Sequence, residues 1–199
     1  GELKYLAGKC QPVASIPNPV DVERLNTLSE ARDETLSAFP QPYLLTVGRL
    51  VPQKNTALLI EAFAGIAGDV SEHLVIIGGG LLEPALRRQI ARNGLQSRVH
   101  LLGEIANPHP WYKRASAFAL TSDWEGYPNV LLEALAHGLP VVSSDCEFGP
   151  RQILDNSQYG QLVRTGDVDG MANAIRAALL ATKAFGAWDA GSFTAQAVA

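Results

Sequence analysis

The sequence predicts an α/β fold: a doubly wound, mainly parallel six-stranded sheet with helices on both faces. Short aliphatic runs alternate with helical patterns about six times along the 199 residues. Each run is followed by glycine or a polar residue, which is typical of strands buried on both faces of a sheet. Helices that alternate with such strands return the chain to the same edge, and this arrangement makes the sheet parallel.

Six short runs of mainly aliphatic residues are the predicted strands. They are Tyr43–Val47, Leu74–Ile77, Val99–Leu102, Phe118–Leu120, Val141–Val142 and Gln161–Val163. A further β-like run, Val13–Ile16, precedes the helix-breaking and strand-breaking segment Pro17-Asn18-Pro19.

In the segments between the predicted strands, apolar residues recur at the spacing of a helix. Asn55 is the expected N-cap of one helix, and Asn93-Gly94 is the expected stop of another. The predicted helices are a weak polar one within Leu25–Ala38, one over Leu58–Ile66, one around Leu86 and Ile90, Val130–His137 before Gly138, and Val168–Ala181.

Composition excludes several classes of protein. The chain is 47% hydrophobic and 18% charged, which suits one well-filled domain. No apolar run approaches the roughly 20 residues that a membrane-spanning helix needs. A net charge of −4 argues against nucleic-acid binding through bulk charge. Cys10 and Cys146 are far apart, so we expect neither a disulfide scaffold nor a zinc ribbon, and this thiol usage fits a reducing compartment.

Two cations follow the first long strand, where parallel sheets bind their ligands. Gly48-Arg49 comes directly after the strand, and Lys54 comes just before a helix. Two cations beside a helix N-terminus suit an anion such as a diphosphate, because the backbone N–H groups add to the attraction. The alternative is that both side chains are solvated at the rim of a loop.

Three glycines, Gly78-Gly79-Gly80, follow the second strand. Glycine lets a backbone approach a ligand closely. The dinucleotide pattern Gly-x-Gly-x-x-Gly fails because position 83 is Glu, so a dinucleotide site is not supported. A tight strand-to-helix turn is the alternative explanation for these glycines.

The most informative segment runs from Ser122 to Gly138. Glu125 lies on a loop, Asn129 is placed to cap the following helix, and Glu133 lies about one turn inside it. The free N–H groups at the start of that helix suit a phosphate, and the two carboxylates suit sugar hydroxyls. The alternative is that the glutamates only complement the helix dipole.

The remaining polar residues give weaker indications. Asp145–Pro150 follows a strand and contains candidate sugar contacts, although a turn and helix start explain the same residues equally well. The four histidines lack metal-ligand spacing and are expected at the surface or at helix ends, so no metal site is predicted. Trp111 and Tyr112 are expected to pack in the core rather than stack on a base.

Taken together, these segments resemble the C-terminal half of retaining glycosyltransferases of family 4, also called group 1, which have the GT-B architecture. The resemblance is most specific at the Glu–seven residues–Glu motif of Glu125 and Glu133. The segments that carry it are Ile16–Asp21, Val47–Leu50, Lys54-Asn55, Ile77–Gly80, Val99–Gly103, Glu125–Glu133, Ala134–Val142 and Asp145–Leu154.

The resemblance implies a role for each matching residue. Arg49 and Lys54 match residues that bind the donor diphosphate and stabilise it as it leaves, and Glu125 matches one that contacts or orients the transferred sugar. Glu133 matches the residue that hydrogen-bonds the ribose. The other implied nucleotide-sugar contacts are Gly48, Gly78, Gly80, Gly126, Tyr127, Pro128, Asn129, Val130, Leu131, Glu147, Phe148 and Gly149.

Three positions depart from the family pattern. Gly79 stands where an acidic residue is common, Gln152 stands where Glu is frequent, and Phe148 replaces a smaller residue. These departures put the identity of the sugar in doubt rather than the assignment of a donor domain.

The resemblance also implies the domain organisation and the ligands. Residues 1–12 would be the remnant of a linker, 13–183 a Rossmann-like nucleotide-sugar domain, and 184–199 a tail that crosses to an N-terminal domain. The donor would be a nucleotide-diphosphate sugar, with UDP favoured over GDP or ADP, and no cofactor. The acceptor, a glycan or lipid-linked glycan of bacterial cell-surface polysaccharide or lipopolysaccharide synthesis, would bind through the N-terminal domain, so this half alone is expected to be inactive.

The implied location is cytoplasmic, with the full-length protein at the inner face of the plasma membrane. Two other functions stay open on the sequence. One is a different enzyme on the same scaffold, such as a nucleotide-sugar epimerase, and the other is a non-catalytic α/β module for nucleotide binding, other binding or regulation.

Overall fold

The computed structural model describes residues 20–40 and 42–180. Strands and helices alternate through most of this part of the chain. In chain order the elements are α1 (Val22–Ser29), α2 (Glu34–Ser37), β1 (Tyr43–Val47), a 3-10 helix (Pro52–Lys54), α3 (Thr56–Ile66), β2 (His73–Ile77), α4 (Glu83–Arg92), β3 (Val99–Gly103), α5 (His109–Arg114), β4 (Ala117–Leu120), α6 (Asn129–Ala136), β5 (Val141–Ser144), α7 (Pro150–Ile153), β6 (Gln161–Val163) and α8 (Val168–Leu180).

The six strands form one sheet in the order β3-β2-β1-β4-β5-β6, and every neighbouring pair is parallel. All six predicted strands are confirmed, with ends that differ by at most two residues. Predictions on Val13–Ile16 and on the segment after Leu180 lie outside the described residues. The predicted parallel α/β architecture is therefore correct, and its strand order is that of a Rossmann-like sheet.

Successive residues of the central strands point to opposite faces of the sheet and enter two different cores. Leu44 packs with α3, α4 and α8, whereas Leu45 packs with the helices on the other face, chiefly α5 and α6. Both side chains are fully buried. This burial on both faces explains why the strands are continuous apolar runs rather than alternating ones.

The sequence did not predict helix α5, and it left α7 open only as a turn and helix start at Asp145–Pro150. They contain six and four residues, so they are too short to show a helical period. Helix α5 carries Trp111 and Tyr112, which are fully buried, as the prediction of core packing requires. Tyr43 Oη donates to Trp111 O at 2.8 Å, and Trp111 Nε1 donates to Asp33 Oδ2 at 2.8 Å.

Arg98 ties the turn between α3 and β2 to the sheet. Its guanidinium donates to the carbonyl oxygens of Ala67, Val70 and Glu72 at 3.1, 2.8 and 2.5 Å. The same group lies 5.9 Å from the centre of the Phe63 ring. These carbonyls lie outside the regular hydrogen bonding of a helix or sheet, so the arginine satisfies acceptors that would otherwise be unpaired.

Replacing Arg98 with methionine is expected to lower the free energy of unfolding by about 2 kcal/mol, because half-buried carbonyls lose their donors. Denaturant unfolding followed by circular dichroism measures this loss. Arg88→Met is the matched control, since Arg88 is exposed on α4. Equal stability of the two variants would contradict the role assigned to Arg98.

Candidate functional site

The candidate site lies at the carboxyl ends of β1 and β4. From β1 the chain adds β2 and β3 on one side, and it adds β4, β5 and β6 on the other. The strand order therefore reverses between β1 and β4, and loops that leave these two strands in opposite directions open a crevice. Arg49 and Lys54 follow β1, and Glu125 follows β4, so the topology brings these predicted residues to one edge.

Lys54 and Glu125 form an ion pair in this crevice. Lys54 Nζ donates to Glu125 Oε1 at 2.5 Å, and the two side chains are 17% and 7% exposed. Ser122 Oγ donates to the same oxygen at 2.6 Å. The sequence analysis identified both charged residues but not their pairing, and it missed Ser122, whose only signal is its spacing of three residues before Glu125.

Backbone and side-chain hydrogen bonds join the β1–α3 segment to the β4–α6 loop. Thr121 Oγ1 lies 3.1 Å from the carbonyl oxygens of both Lys54 and Asn55. Asn55 Nδ2 donates to Asp123 Oδ1 at 2.8 Å, and Asp123 N donates to Gln53 O at 2.9 Å. These bonds fix the distance between the two loops, so Lys54 and Glu125 are held together by more than their own charges.

Asn55 caps α3 as predicted. Its side chain accepts a hydrogen bond from Leu58 N at 3.3 Å, and its backbone is left-handed with φ +43°. Asparagine tolerates that conformation better than most residues. The cap thus places Lys54 immediately before the helix start.

Arg49 lines a cavity of about 520 Å³ on the other side of β1. Within residues 20–40 and 42–180, the Arg49 side chain makes no ion pair, so its charge is open to a ligand. Glu104 enters the same cavity from the loop after β3. The complete lining is Val47, Gly48, Arg49, Ile77, Gly78, Gly79, Glu104, Ile105 and Ala106.

Gly78 and Gly80 allow the β2–α4 loop to pack against the β1–α3 loop. They have φ values of +135° and +156°, and a Cβ on them would lie 2.0 Å from Gly48 O and 2.4 Å from Leu50 O. Leu50 N donates to Gly79 O at 2.8 Å across this contact. Loop packing alone requires these glycines, and their direct contact with a ligand stays a prediction.

Gly126, Tyr127 and Pro128 form a loop that contacts the β5–α7 loop. Gly149 has φ +85°, and a Cβ there would lie 2.5 Å from Pro128 Cδ and 2.9 Å from Gly126 O. Only a residue without a side chain fits so close to the neighbouring loop. Two segments distant in the sequence are thereby joined beside Glu125.

Two expectations for the start of α6 are wrong. Asn129 is the first residue of the helix rather than its cap, and Pro128 occupies the N-cap position without a side-chain hydrogen bond. Leu131 N is not free, because it donates to Pro128 O at 3.0 Å. Proline lacks an N–H but keeps its carbonyl, so Pro128 starts the helix by accepting. Val130 follows Asn129 in the first turn.

Glu133 projects from α6 toward two residues of α5. Its side chain is half-buried. Burial raises the pKa of the fully buried Tyr112, and the Glu133 carboxylate raises it further. Burial lowers the pKa of His109, and Glu133 opposes that shift. The candidate ribose-binding carboxylate therefore lies beside the buried rings of Tyr112 and His109 rather than in open solvent.

The histidines form two pairs, which the sequence analysis did not anticipate. His109 Nδ1 lies 3.3 Å from His137 Nε2, and His73 Nδ1 lies 2.8 Å from His100 Nε2. The expectation of helix ends is correct for the first pair. It is wrong for the second, since His73 and His100 belong to adjacent strands and are half-buried.

Glu147 and Phe148 are exposed on the β5–α7 loop. Phe148 is 55% exposed, and Trp124 on the β4–α6 loop is 56% exposed. Neither Glu147 nor Phe148 joins the hydrogen bonds around Glu125. Their assignment to the sugar stays a prediction.

Residues 20–40 and 42–180 contain no group of three or more side chains arranged to hold a metal ion. No helix in that same part of the chain has the length and hydropathy needed to span a membrane.

The sheet order and the crevice are those of a Rossmann-like α/β domain, and the fold matches solved GT-B glycosyltransferase structures. The chain belongs to the glycosyl transferases group 1 family, whose family model matches residues 41–181. Within that family it is a donor-binding domain of the C-terminal type.

Relatives and solved structures agree with this assignment. An uncharacterized glycosyltransferase of Methanocaldococcus jannaschii is 36% identical over 143 residues, which are 70% of this chain and 35% of the relative. The N-acetylgalactosamine-N,N'-diacetylbacillosaminyl-diphospho-undecaprenol 4-alpha-N-acetylgalactosaminyltransferase of Campylobacter jejuni is 34% identical over 81% of this chain and 43% of its own length. Anabaena HepE in complex with UDP superimposes with a TM-score of 0.73 at 26% identity, over 92% of this chain and 51% of HepE. The chain thus spans about half or less of the length of these relatives.

Proposed function

We propose that this chain binds the donor of a retaining glycosyltransferase, which moves a sugar from a nucleotide diphosphate to an acceptor hydroxyl. The observation that carries the proposal is the position of Arg49. It lies at the switch point of the sheet, it borders a cavity of about 520 Å³, and it makes no ion pair with any residue in the described part of the chain. A guanidinium placed in this way fits the oxygens of a diphosphate.

The chemistry follows from where negative charge develops. The bond between the anomeric carbon and the diphosphate oxygen breaks, its electrons stay with the diphosphate, and the acceptor oxygen forms the new bond. Arg49, Lys54 and the N-terminal amides of α6 offset the charge of the leaving diphosphate. With retention of configuration, the acceptor attacks on the face that the diphosphate leaves, and a leaving oxygen takes the acceptor proton.

UDP is the nucleotide that we favour, with GDP and ADP as alternatives. Anabaena HepE has been solved with UDP, and its fold is shared with this chain. Glu133 would accept hydrogen bonds from the ribose hydroxyls, and the glycines after β1 and β2 would lie under the nucleotide. No cofactor is part of this proposal.

The acceptor would be a glycan or a lipid-linked glycan of bacterial cell-surface synthesis. The Campylobacter relative, as its name states, acts on a diphospho-undecaprenol substrate. Such an acceptor would bind opposite this domain, in the cytoplasm at the inner face of the plasma membrane. Residues 1–199 would therefore bind a donor without transferring it at the rate of a whole enzyme.

Titration calorimetry of residues 1–199 with UDP, GDP and ADP tests the donor site. We expect binding of one of the three, and Arg49→Ala should weaken it by about tenfold or more through loss of charge-assisted hydrogen bonds. Arg88→Ala, on the exposed face of α4, is the control and should bind as wild type does. Folded protein that binds none of the three would reject the proposal and favour a non-catalytic module.

Turnover distinguishes transfer from epimerisation on the same scaffold. A transferase releases free UDP only when an acceptor hydroxyl is present, whereas an epimerase converts the sugar without needing one. Under this proposal, a sample that also carries an acceptor-binding N-terminal domain is used for that measurement.

A further inference from the structure

Glu125 has an unequal hydrogen-bond environment at its two carboxylate oxygens. Lys54 Nζ and Ser122 Oγ both donate to Oε1, at 2.5 and 2.6 Å. Among the residues that the structure describes, none donates to Oε2. A carboxylate has room for about four acceptor contacts, so Oε1 is well satisfied while Oε2 keeps its capacity for a ligand.

Ser122 cannot itself contact a ligand. It is fully buried, and its carbonyl oxygen accepts a hydrogen bond from Ser144 Oγ at 2.5 Å. Its neighbour Thr121 is tied to the carbonyls of Lys54 and Asn55. The backbone that carries the Ser122 hydroxyl is therefore held in place, and the hydroxyl acts on the site only through Glu125.

The two donors to Oε1 differ in how they respond to an anion. Lys54 has a flexible stem and is 17% exposed, so a diphosphate can draw its ammonium away from the carboxylate. A diphosphate has no access to the buried hydroxyl of Ser122. When Lys54 turns to the diphosphate, Ser122 is the donor that stays on Oε1.

We propose that Ser122 is a positioning residue that keeps the Glu125 carboxylate oriented, with Oε2 toward the transferred sugar, while Lys54 exchanges Glu125 for the donor diphosphate. This inference rests on the proposed function and deepens it. It assigns separate tasks to the two donors on Oε1: Lys54 binds the diphosphate, and Ser122 holds the sugar-binding carboxylate in place.

The test compares a nucleotide with its sugar conjugates. Calorimetry on residues 1–199 measures the affinity for UDP and for UDP-glucose, UDP-galactose and UDP-N-acetylglucosamine. For the conjugate that wild type binds best, the gain over UDP reports the contacts to the sugar. Ser122→Ala is expected to reduce that gain by about fivefold, which corresponds to one oriented hydrogen bond, and to leave the UDP affinity within about twofold of wild type.

Ser143→Ala is the matched control. Ser143 is also a fully buried serine, but its hydroxyl donates to Ser144 O at 3.0 Å and does not approach Glu125. It should retain the full gain from the sugar. A double-mutant cycle with Glu125→Ala completes the test, because Ser122→Ala should add little once the side chain that accepts its hydrogen bond is gone.

The outcomes separate the inference from the proposed function. If wild type does not bind UDP, GDP or ADP, the proposed function fails and the role of Ser122 fails with it. If wild type binds UDP but Glu125→Ala binds every conjugate as tightly as wild type does, Glu125 offers no acceptor to the sugar and the inference is overturned alone. The inference is also overturned if Ser122→Ala loses the same affinity for UDP and for the conjugate. It is overturned as well if that variant keeps the full gain in affinity from the sugar.

Discussion

Lys54→Met is expected to destabilise the unliganded protein by about 3 kcal/mol and to weaken nucleotide binding by more than about tenfold. The substitution removes the ammonium but leaves the Glu125 carboxylate, whose side chain is only 7% exposed. A buried charge that loses its counter-ion costs far more than the pair contributes when intact. Denaturant unfolding measures the first effect, and calorimetry with UDP measures the second.

The double variant Lys54→Met/Glu125→Gln isolates the cause of the instability. It removes both charges, so its unfolding free energy should return most of the way to wild type, while its nucleotide binding should stay weak. The amide oxygen that this variant carries in place of Glu125 Oε1 can still accept the hydrogen bond from Ser122.

A double variant that is as unstable as Lys54→Met would show that packing of the lysine stem against Gly48 matters more than charge. A Cβ on Gly48 would lie 3.6 Å from Lys54 Cε, so the stem lies close to this glycine. Undiminished UDP binding by either variant would remove Lys54 from the diphosphate site.

Acid is expected to destabilise the protein between pH 7 and pH 5. Burial lowers the pKa of all four histidines of the sequence, and it lowers that of His137 to about 4, with further contributions from His109 and Lys113. The unfolded chain then binds more protons than the native state below about pH 6.5. The neutral histidines therefore contribute fully to stability above the histidine pKa of the unfolded chain. That contribution is lost as the pH falls toward the lower pKa that the histidines have in the folded protein.

His137 alone should account for about 1 kcal/mol of this loss by pH 5, which is less than its full change in pKa implies because water screens the half-buried ring. His137→Asn should flatten the dependence of unfolding free energy on pH and differ little from wild type in its slope above pH 7. Denaturant unfolding at half-unit pH steps provides the curve. A slope between pH 7 and pH 5 that is unchanged in the variant would show that other groups govern the acid sensitivity.

Much of the fold could be predicted because its strands are buried on both faces. Tyr43–Val47 and Gln161–Val163 match the structure at both ends. Each is an apolar run bounded by chain-breaking or polar residues, and that signal is local. Helix α5 was not predicted, and α7 was left open only as a turn and helix start, because one or two turns carry no measurable period and their helical state depends on packing.

The start of α6 shows a different limit. Asn129 is a good capping residue, so local preference favoured it, yet Pro128 occupies that position. The loop of Gly149 packs directly on Pro128 and Gly126 at the same place. A local capping preference takes no account of such a contact between loops that are distant in the sequence.

The sequence by itself determined which residues lie at the carboxyl ends of the strands, because continuous apolar runs and the glycines or polar residues that follow them are local properties. It therefore placed Arg49, Lys54 and Glu125 at one edge of a sheet. Only the tertiary structure decided that Lys54 and Ser122 share one oxygen of Glu125, and that Arg49 faces a separate cavity. Lys54 and Glu125 are 71 residues apart, and their contact exists because β1 and β4 are neighbours, which depends on how all six strands pack.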